Sequence, residues 1–136
     1  MITKNIKELH EDLLNKKITS KELVDESLKK CHSIQEATNS FVTIIDDAKE
    51  REVTEELVSG IPFVVKDNFS TKEILSTGSS NTLKDYVPFF DATAVLNLKN
   101  KGAVPVTKTV LDELGMGGTG TTGHTGIVHN PWDTSR

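Results

Sequence analysis

The spacing of apolar residues in the first 40 positions is typical of amphipathic helices. Apolar side chains recur every three or four positions from Ile6 to Leu14, which predicts a short helix over residues 4–15. A second helix is predicted to begin at a capping box, in which the Thr19 hydroxyl and the Glu22 carboxylate satisfy free backbone donors. Its predicted buried face consists of Leu23, Val24, Leu28, Cys31 and Ile34.

Two later apolar runs have the composition of strands. Residues 41–45, FVTII, are β-branched and aromatic, which predicts a first strand. Residues 61–65, IPFVV, are apolar on both faces of the pleat, which predicts a strand that is covered on both sides. Between these runs, Asp46 or Asp47 is expected to cap a further helix that continues to about Val58.

The middle of the chain predicts a strand, a helix and a second strand in succession. Asp91 is expected to cap a helix that ends near Gly102. The second strand is predicted over residues 103–107, although Pro105 is unfavourable inside a sheet. This order is typical of two parallel strands joined by a crossover helix. The predicted fold class is therefore α/β, with a mixed sheet flanked by helices.

The charges divide the chain into two parts. Residues 1–59 carry 13 acidic and 9 basic side chains, whereas residues 60–136 carry 7 of each. The first part is therefore predicted to be a solvated helical region with one strand. The net charge of −4 offers no basic surface for nucleic acid. The single cysteine, Cys31, and the absence of a membrane-length apolar run or a signal peptide indicate a cytoplasmic protein without membrane contact.

Lys66 directly follows the predicted buried strand and is itself followed by Asp67 and Asn68. Ligands of open α/β sheets bind beyond the carboxyl ends of the strands, so one interpretation gives Lys66 a functional role. The other interpretation is that the lysine extends its side chain into water. Position alone leaves both interpretations open.

A glycine-rich loop is predicted over residues 115–126, which contain six of the nine glycines. Two overlapping G-x-G-x-x-G matches indicate a nucleotide-binding turn, but that fingerprint requires a strand before the loop and a helix after it. Neither is predicted here, and no Walker A motif occurs. The other interpretation is a loop whose bare backbone approaches a small ligand closely.

Other polar residues are interpreted without a catalytic role. Asp112 and Glu113 are predicted to form the solvated end of a helical turn over residues 110–114. Trp132 is expected to anchor a turn by packing its ring. The four histidines lack cysteine or carboxylate partners at metal-ligand spacing, so no metal site is expected.

Three segments, in order along the chain, resemble the amidase signature family. Residues 60–68, GIPFVVKDN, resemble its G-x-P-hydrophobic-hydrophobic-x-K-D-N segment. Residues 108–117, KTVLDELGMG, resemble K-T-N-x-D-E-x-x-M-G, and residues 130–136, NPWDTSR, resemble N-P-W-D-x-S-R. Val110 departs from the family's asparagine. The resemblance implies that residues 60–136 are the start of an amidase-signature core and that this core is incomplete.

The resemblance implies an amide hydrolase with a Ser-cisSer-Lys triad. Lys66 matches the triad lysine, and Met116, Gly117 and Gly118 match residues beside the substrate. Burial at a strand end would disfavour the ammonium form of Lys66 and leave a neutral amine that can accept a proton. Both triad serines of the family would fall after Arg136, so the 136-residue chain alone is expected to be inactive.

Within the family, the segment DELGMGG at residues 112–118 resembles the corresponding segment of a branch that serves tRNA-dependent amidation. This implies a subunit that hydrolyses glutamine and passes ammonia to other amidotransferase subunits, which convert Glu-tRNA(Gln) to Gln-tRNA(Gln). ATP and Mg are then expected on a partner subunit, which also makes most of the contacts with tRNA, and no cofactor is expected on this chain. The alternatives are another amide hydrolase of the family, or a non-catalytic nucleotide-binding or interaction module that uses the glycine-rich loop.

Overall fold

The computed structural model describes residues 4–136, which form helices and one small sheet. The elements are α1 (Ile6–Leu14), α2 (Ser20–Thr38), β1 (Phe41–Ile44), β2 (Pro62–Lys66), α3 (Thr93–Asn100) and β3 (Val104–Thr109), with 3-10 turns at Asn81–Leu83 and Glu113–Gly115. The strand order is β1-β3-β2, with β2 parallel and β1 antiparallel to β3. The predicted α/β class with a mixed sheet is confirmed.

Both N-terminal helices begin at capping boxes. The Asn5 side chain accepts a hydrogen bond from the backbone N–H of Glu8, and the Thr19 side chain accepts one from that of Glu22. The second of these boxes was predicted from the sequence. α2 ends at Asn39, whose left-handed backbone, with φ of 49°, turns the chain toward β1. None of the helices in residues 4–136 has the length and hydropathy of a membrane span.

The core lies between α2 and the sheet. Val24 of α2 packs against Val104 and Val106 of β3, and Leu23 packs against Leu13 of α1. Burial of each such aliphatic side chain contributes roughly 1.5–3 kcal/mol. The core therefore joins residues from before and after position 60, and it holds β3 as the central strand of the sheet.

The helix predicted between β1 and β2 does not form. Residues 46–60 are turns and irregular backbone, and the Ser59 hydroxyl organises them by donating to the Glu52 carbonyl at 3.0 Å and accepting from the Thr54 N–H at 3.0 Å. A helix of this length gains most of its stability by packing an apolar face, and the charged residues of this segment provide little of one. The prediction was wrong for that reason.

Strand β2 lies at the edge of the sheet, and one of its faces is exposed although both faces were predicted to be covered. Only β3 pairs with it among the described residues, and the Val64 side chain is 55% exposed. The neighbouring β3 accommodates Pro105 where the register with β2 shifts, between Phe63 and Val64. The prediction of a fully covered strand was wrong because apolar composition alone does not identify the neighbours of a strand.

The predicted cap of α3 was also wrong. The helix begins after Ala92 without a side-chain cap. Asp91 instead accepts hydrogen bonds from the Lys72 backbone N–H at 2.8 Å and from Lys99 Nζ at 2.7 Å. The carboxylate therefore joins the last turn of α3, which contains Lys99, to the loop after β2.

Candidate functional site

Lys66 is the last residue of β2 and lies beside Thr109, the last residue of β3. A turn follows it, closed by a 3.0 Å hydrogen bond from the Phe69 N–H to the Lys66 carbonyl. The Lys66 side chain is exposed. The expectation that this amine is dry was wrong for the described residues, because β2 is an edge strand whose carboxyl end is open.

The buried lysine of this region is Lys108, in β3. Its ammonium donates three hydrogen bonds, to the Phe69 carbonyl at 2.7 Å, to Thr71 Oγ1 at 3.0 Å and to Ser76 Oγ at 2.6 Å. These bonds use all three of its donors. Burial lowers the pKa of Lys108 to about 8, although the nearby Asp67 carboxylate acts in the opposite direction. Sequence reasoning treated this residue only as part of a motif and missed its burial.

Asp67 is the acidic partner of Lys108 inside the protein. Both side chains are fully buried, and Asp67 Oδ1 lies 3.7 Å from Lys108 Nζ. Asp67 Oδ2 accepts hydrogen bonds from the Thr77 N–H at 2.9 Å, the Thr77 hydroxyl at 2.6 Å and the Ser79 N–H at 3.3 Å. The Asp67 N–H donates to the Thr109 carbonyl at 3.1 Å. Asp67 therefore fastens the turn after β2 to β3 and to a neighbouring loop.

That loop contains residues 76–80, STGSS, which we call the hydroxyl segment. Besides its bonds to Asp67, it contacts the start of the glycine-rich loop. Ser79 Oγ accepts a hydrogen bond from the Leu111 N–H at 3.0 Å, and the Ser80 hydroxyl donates to Glu113 Oε1 at 2.7 Å. The hydroxyl segment thus connects the end of β2 to the glycine-rich loop. Sequence reasoning gave it no role, and its hydroxyl-rich composition was the only signal available.

The glycine-rich loop is organised around one carboxylate, that of Asp112. Asp112 Oδ2 accepts from the N–H groups of Thr119 at 2.7 Å and Gly120 at 2.9 Å, and Oδ1 accepts from those of Thr121 at 2.9 Å and Thr122 at 3.0 Å. The bonds from Gly120 and Thr122 hold the pKa of Asp112 well below its usual range. Its side chain is almost completely buried, so the interpretation of Asp112 as a solvated helix end was wrong.

The predicted substrate-binding residues lie on the surface of this loop. The Met116 side chain is 88% exposed, and Gly117 and Gly118 are also exposed. The loop adjoins the turn after β2, because a Cβ built on Gly115 would lie 3.8 Å from Asn68 Nδ2. The structure therefore brings the Lys66 turn and the glycine-rich loop, which are distant in sequence, into one region.

The geometry of the loop is unfavourable for a phosphate. In dinucleotide-binding folds, free N–H groups at a helix N-terminus face the anion. Here four successive N–H groups, from Thr119 to Thr122, already bind the Asp112 carboxylate. A 3-10 turn, Glu113–Gly115, precedes these amides, and no helix follows them in the described chain. An anionic ligand would have to displace a carboxylate that belongs to the protein.

Trp132 does not pack as predicted, because its side chain is 95% exposed. The turn it occupies is held instead by the Asn130 side chain, whose Oδ1 accepts from the Trp132 N–H at 2.9 Å. A local hydrogen bond of this kind does not require an aromatic anchor. Within residues 4–136, no group of three or more histidine, cysteine or acidic side chains is arranged to hold a metal ion.

Comparison with known proteins gives a family and several relatives. The model of the amidase family, described as Amidase, matches residues 22–136. The A subunit of glutamyl-tRNA(Gln) amidotransferase from Streptococcus pneumoniae (strain Hungary19A-6) is 45% identical over 142 residues, which cover 98% of this chain and 29% of that protein. The protein of the same name from Streptococcus thermophilus (strain CNRZ 1066) is 42% identical with the same coverage. The chain therefore spans less than a third of the length of the curated relatives it matches.

Solved structures agree with the sequence relatives. The crystal structure of the A subunit of glutamyl-tRNA(Gln) amidotransferase from Thermotoga maritima superposes with a TM-score of 0.76 and 28% identity, covering 88% of this chain and 28% of that one. Peptide amidase from Stenotrophomonas maltophilia superposes with a TM-score of 0.83 over 98% of this chain and 31% of that one. Its identity of 20% shows a common fold.

Proposed function

The chain belongs to the amidase family, and from that premise we propose that it is the first part of a glutaminase subunit that supplies ammonia for tRNA-dependent amidation. The substrate of the complete subunit is glutamine, and its ammonia converts Glu-tRNA(Gln) to Gln-tRNA(Gln). The observation that carries the proposal is the convergence of the Lys66 turn and the glycine-rich loop, through Asp67 and the hydroxyl segment. The 45% identity to the A subunit of an amidotransferase supports this branch of the family.

In the proposed mechanism Lys66 is the general base. Its neutral amine accepts a proton from a nucleophilic serine through a middle serine, and both serines belong to sequence outside these 136 residues. The nucleophile attacks the amide carbon of glutamine, the proton passes to the leaving nitrogen, and ammonia departs from an acyl-enzyme that water then hydrolyses. Lys66 is exposed in the described chain, so its amine is open to hydroxyl groups from a further segment. Packing of that segment would exclude water from the amine.

The glycine-rich loop is proposed to line the substrate site. The Met116 side chain is free to contact an apolar part of the substrate, since it packs against little of the described chain. A Cβ built on Gly118 would have no atom within 4 Å, so a ligand can approach the backbone there. Asp112 keeps the loop in one conformation and is itself directed away from the ligand, toward the loop amides.

The proposed partners are the other subunits of the amidotransferase, in the cytoplasm. The relatives with 45% and 42% identity each bear the name of one subunit of that enzyme, which supports an assembly of several chains. ATP, Mg and most tRNA contacts are assigned to the partner subunits, in keeping with a net charge of −4 on this chain.

The experiment uses a complete subunit, made by joining residues 1–136 to the part of the S. pneumoniae relative that follows the aligned segment. This chimaera, co-expressed with the partner subunits, is expected to release ammonia from glutamine. Lys66→Ala should lower kcat by at least about a hundredfold, as expected for loss of a catalytic base. Lys101→Ala is the matched control, because Lys101 is an exposed lysine whose ion pair within residues 4–136 is with Glu56, at 2.7 Å.

Three outcomes would contradict the proposal. Near-normal glutaminase activity of Lys66→Ala would remove the proposed base. A folded chimaera that hydrolyses simple amides but not glutamine would favour another amide hydrolase of the family. Ammonia release by the 136-residue chain alone would contradict the assignment of both serines to a further segment.

A further inference from the structure

Two lysines lie at the adjacent ends of β2 and β3 and differ completely in their surroundings. Lys66 is exposed, whereas Lys108 is fully buried. Asp67 follows Lys66 directly and faces Lys108 across 3.7 Å with neither side chain exposed. The proposed mechanism uses Lys66 and leaves the buried pair without a role.

A buried ion pair is a weak source of stability. Removing two charges from water costs free energy that their mutual attraction only partly offsets, and apolar side chains of similar volume often stabilise a fold better. The pair here is nevertheless held by hydrogen bonds, although Asp67 Oδ1 itself has no hydrogen-bond partner among the described residues. Lys108 donates to Phe69, Thr71 and Ser76, and Asp67 Oδ2 accepts from Thr77 and Ser79. This network defines one arrangement of the surrounding loops, which indicates that it serves conformational specificity.

The network acts on the backbone that follows Lys66. Residues 66–69 form a turn in which the Phe69 N–H bonds to the Lys66 carbonyl at 3.0 Å. Lys108 holds the Phe69 carbonyl at 2.7 Å, and Asp67 is held by its side chain and by its N–H. The strand ladder fixes the chain before Lys66, and the buried pair fixes it afterwards.

We propose that Lys108 and Asp67 are positioning residues for Lys66, which hold its backbone so that its amine meets the serine relay in one geometry. This inference rests on the proposed function, because it requires Lys66 to be the base. Catalytic groups are held within a fraction of an ångström by supporting bonds, and a displacement of about 1 Å can cost about a hundredfold in rate. The two residues act through the turn and do not touch the substrate.

The test compares variants of the chimaera at the same folded fraction, measured by circular dichroism. Lys108→Met removes three donors while keeping an unbranched side chain, and Asp67→Asn removes the charge. Lys101→Met is the matched control. We expect Lys108→Met and Asp67→Asn to lower kcat by at least about tenfold, with KM for glutamine within about threefold of the unmutated value. Lys101→Met should change neither constant.

Counting active sites separates positioning from a general loss of structure. The amplitude of the acyl-enzyme burst measures the number of active sites, and in Lys108→Met the rate per active site is expected to fall because the base is present but displaced. A mere decrease in active enzyme would lower the burst and leave the rate per active site unchanged. Unchanged kcat, or an unchanged rate per active site, would therefore overturn the inference.

A milder pair of variants covers the case in which Lys108→Met fails to fold. Ser76→Ala and Thr71→Val each remove one hydrogen-bond partner of Lys108. We expect each to lower kcat about threefold or more. A kcat equal to that of the unmutated chimaera in both variants would overturn the inference. Failure of the proposed function is a different result, since Lys66→Ala would then keep its activity whatever the behaviour of these variants.

Discussion

Gly117 lies directly against the carboxylate of Asp112, so that a Cβ at position 117 would stand 2.5 Å from Asp112 Cγ. The next residue, Gly118, has no neighbouring atom within 4 Å of such a Cβ. Neither glycine has a positive φ, so the difference between them is one of space. Two adjacent glycines of one motif therefore differ in their surroundings: Gly117 lets the loop pack around Asp112, whereas Gly118 lies at an open surface.

This contrast predicts different effects of two otherwise identical substitutions. Gly117→Ala should displace Asp112 and destabilise the chimaera by about 1–3 kcal/mol, as overpacking does at a filled site. Gly118→Ala is the matched control for stability and should change the midpoint of urea denaturation little. Equal midpoints for the two variants would contradict the close packing of Gly117 on Asp112.

Asp112→Asn is expected to loosen the glycine-rich loop. The carboxylate accepts from four successive N–H groups, whereas an asparagine amide presents one oxygen and one NH2 group, which would face two donors. Amide hydrogen exchange over residues 119–122 should accelerate at least about tenfold, since these N–H groups lose a hydrogen-bond acceptor. The neighbouring Glu113→Gln is the control, because the glutamine keeps an oxygen that can accept the hydrogen bond from the Ser80 hydroxyl. Unchanged exchange in Asp112→Asn would show that the loop is held by other contacts.

Local signals in the sequence were sufficient for most of the fold. The capping box of Thr19 and Glu22 satisfies donors three residues away, so it can be identified from neighbouring positions alone. The strand at residues 41–45 and the strand–helix–strand unit depend on equally short patterns. The helix expected over residues 46–58 was wrong because its stability would have required a packing partner, which a local pattern does not reveal.

The chemistry of the site depends on contacts that are distant in sequence. Lys108 bonds to Ser76, 32 residues earlier, and to Phe69, 39 residues earlier. Spacing along the chain therefore could not distinguish the exposed Lys66 from the buried Lys108, although the motif singled out Lys66. Asp112 was misassigned for a similar reason. Its carboxylate oxygens accept hydrogen bonds from amides seven to ten residues later, and no helix or strand pattern connects those residues to it.

The arrangement of the loop amides predicts that nucleotides do not bind this chain. Titration of the 136-residue chain with ATP or NAD, with and without Mg, should give no saturable heat in calorimetry. The physical reason is that the amides of Thr119 to Thr122 are bonded to a carboxylate that repels a second anion. Saturable binding at micromolar concentration would contradict this and would favour the non-catalytic nucleotide-binding module.

The pKa of Lys108 predicts an alkaline change in stability with a defined sign. Burial lowers this pKa to about 8 from an ordinary value of 10.5. Between these values the unfolded chain binds a proton that the folded chain does not, so the free energy of unfolding rises with pH across the interval. The full rise from this group is about 3 kcal/mol. Below pH 8 both states are protonated, and the contribution is constant.

Urea denaturation of the chimaera between about pH 7.5 and 10.5 measures this change, because that interval includes the folded and the ordinary pKa of Lys108. The rise in midpoint should be present in the unmutated protein. It should also be present in Lys101→Met, because the lysine replaced there is an exposed one. Lys108→Met should lack it, because methionine does not titrate. A slope that is the same in Lys108→Met and Lys101→Met would mean that Lys108 keeps its proton in the folded protein, and that its hydrogen bonds and Asp67 outweigh the cost of its burial.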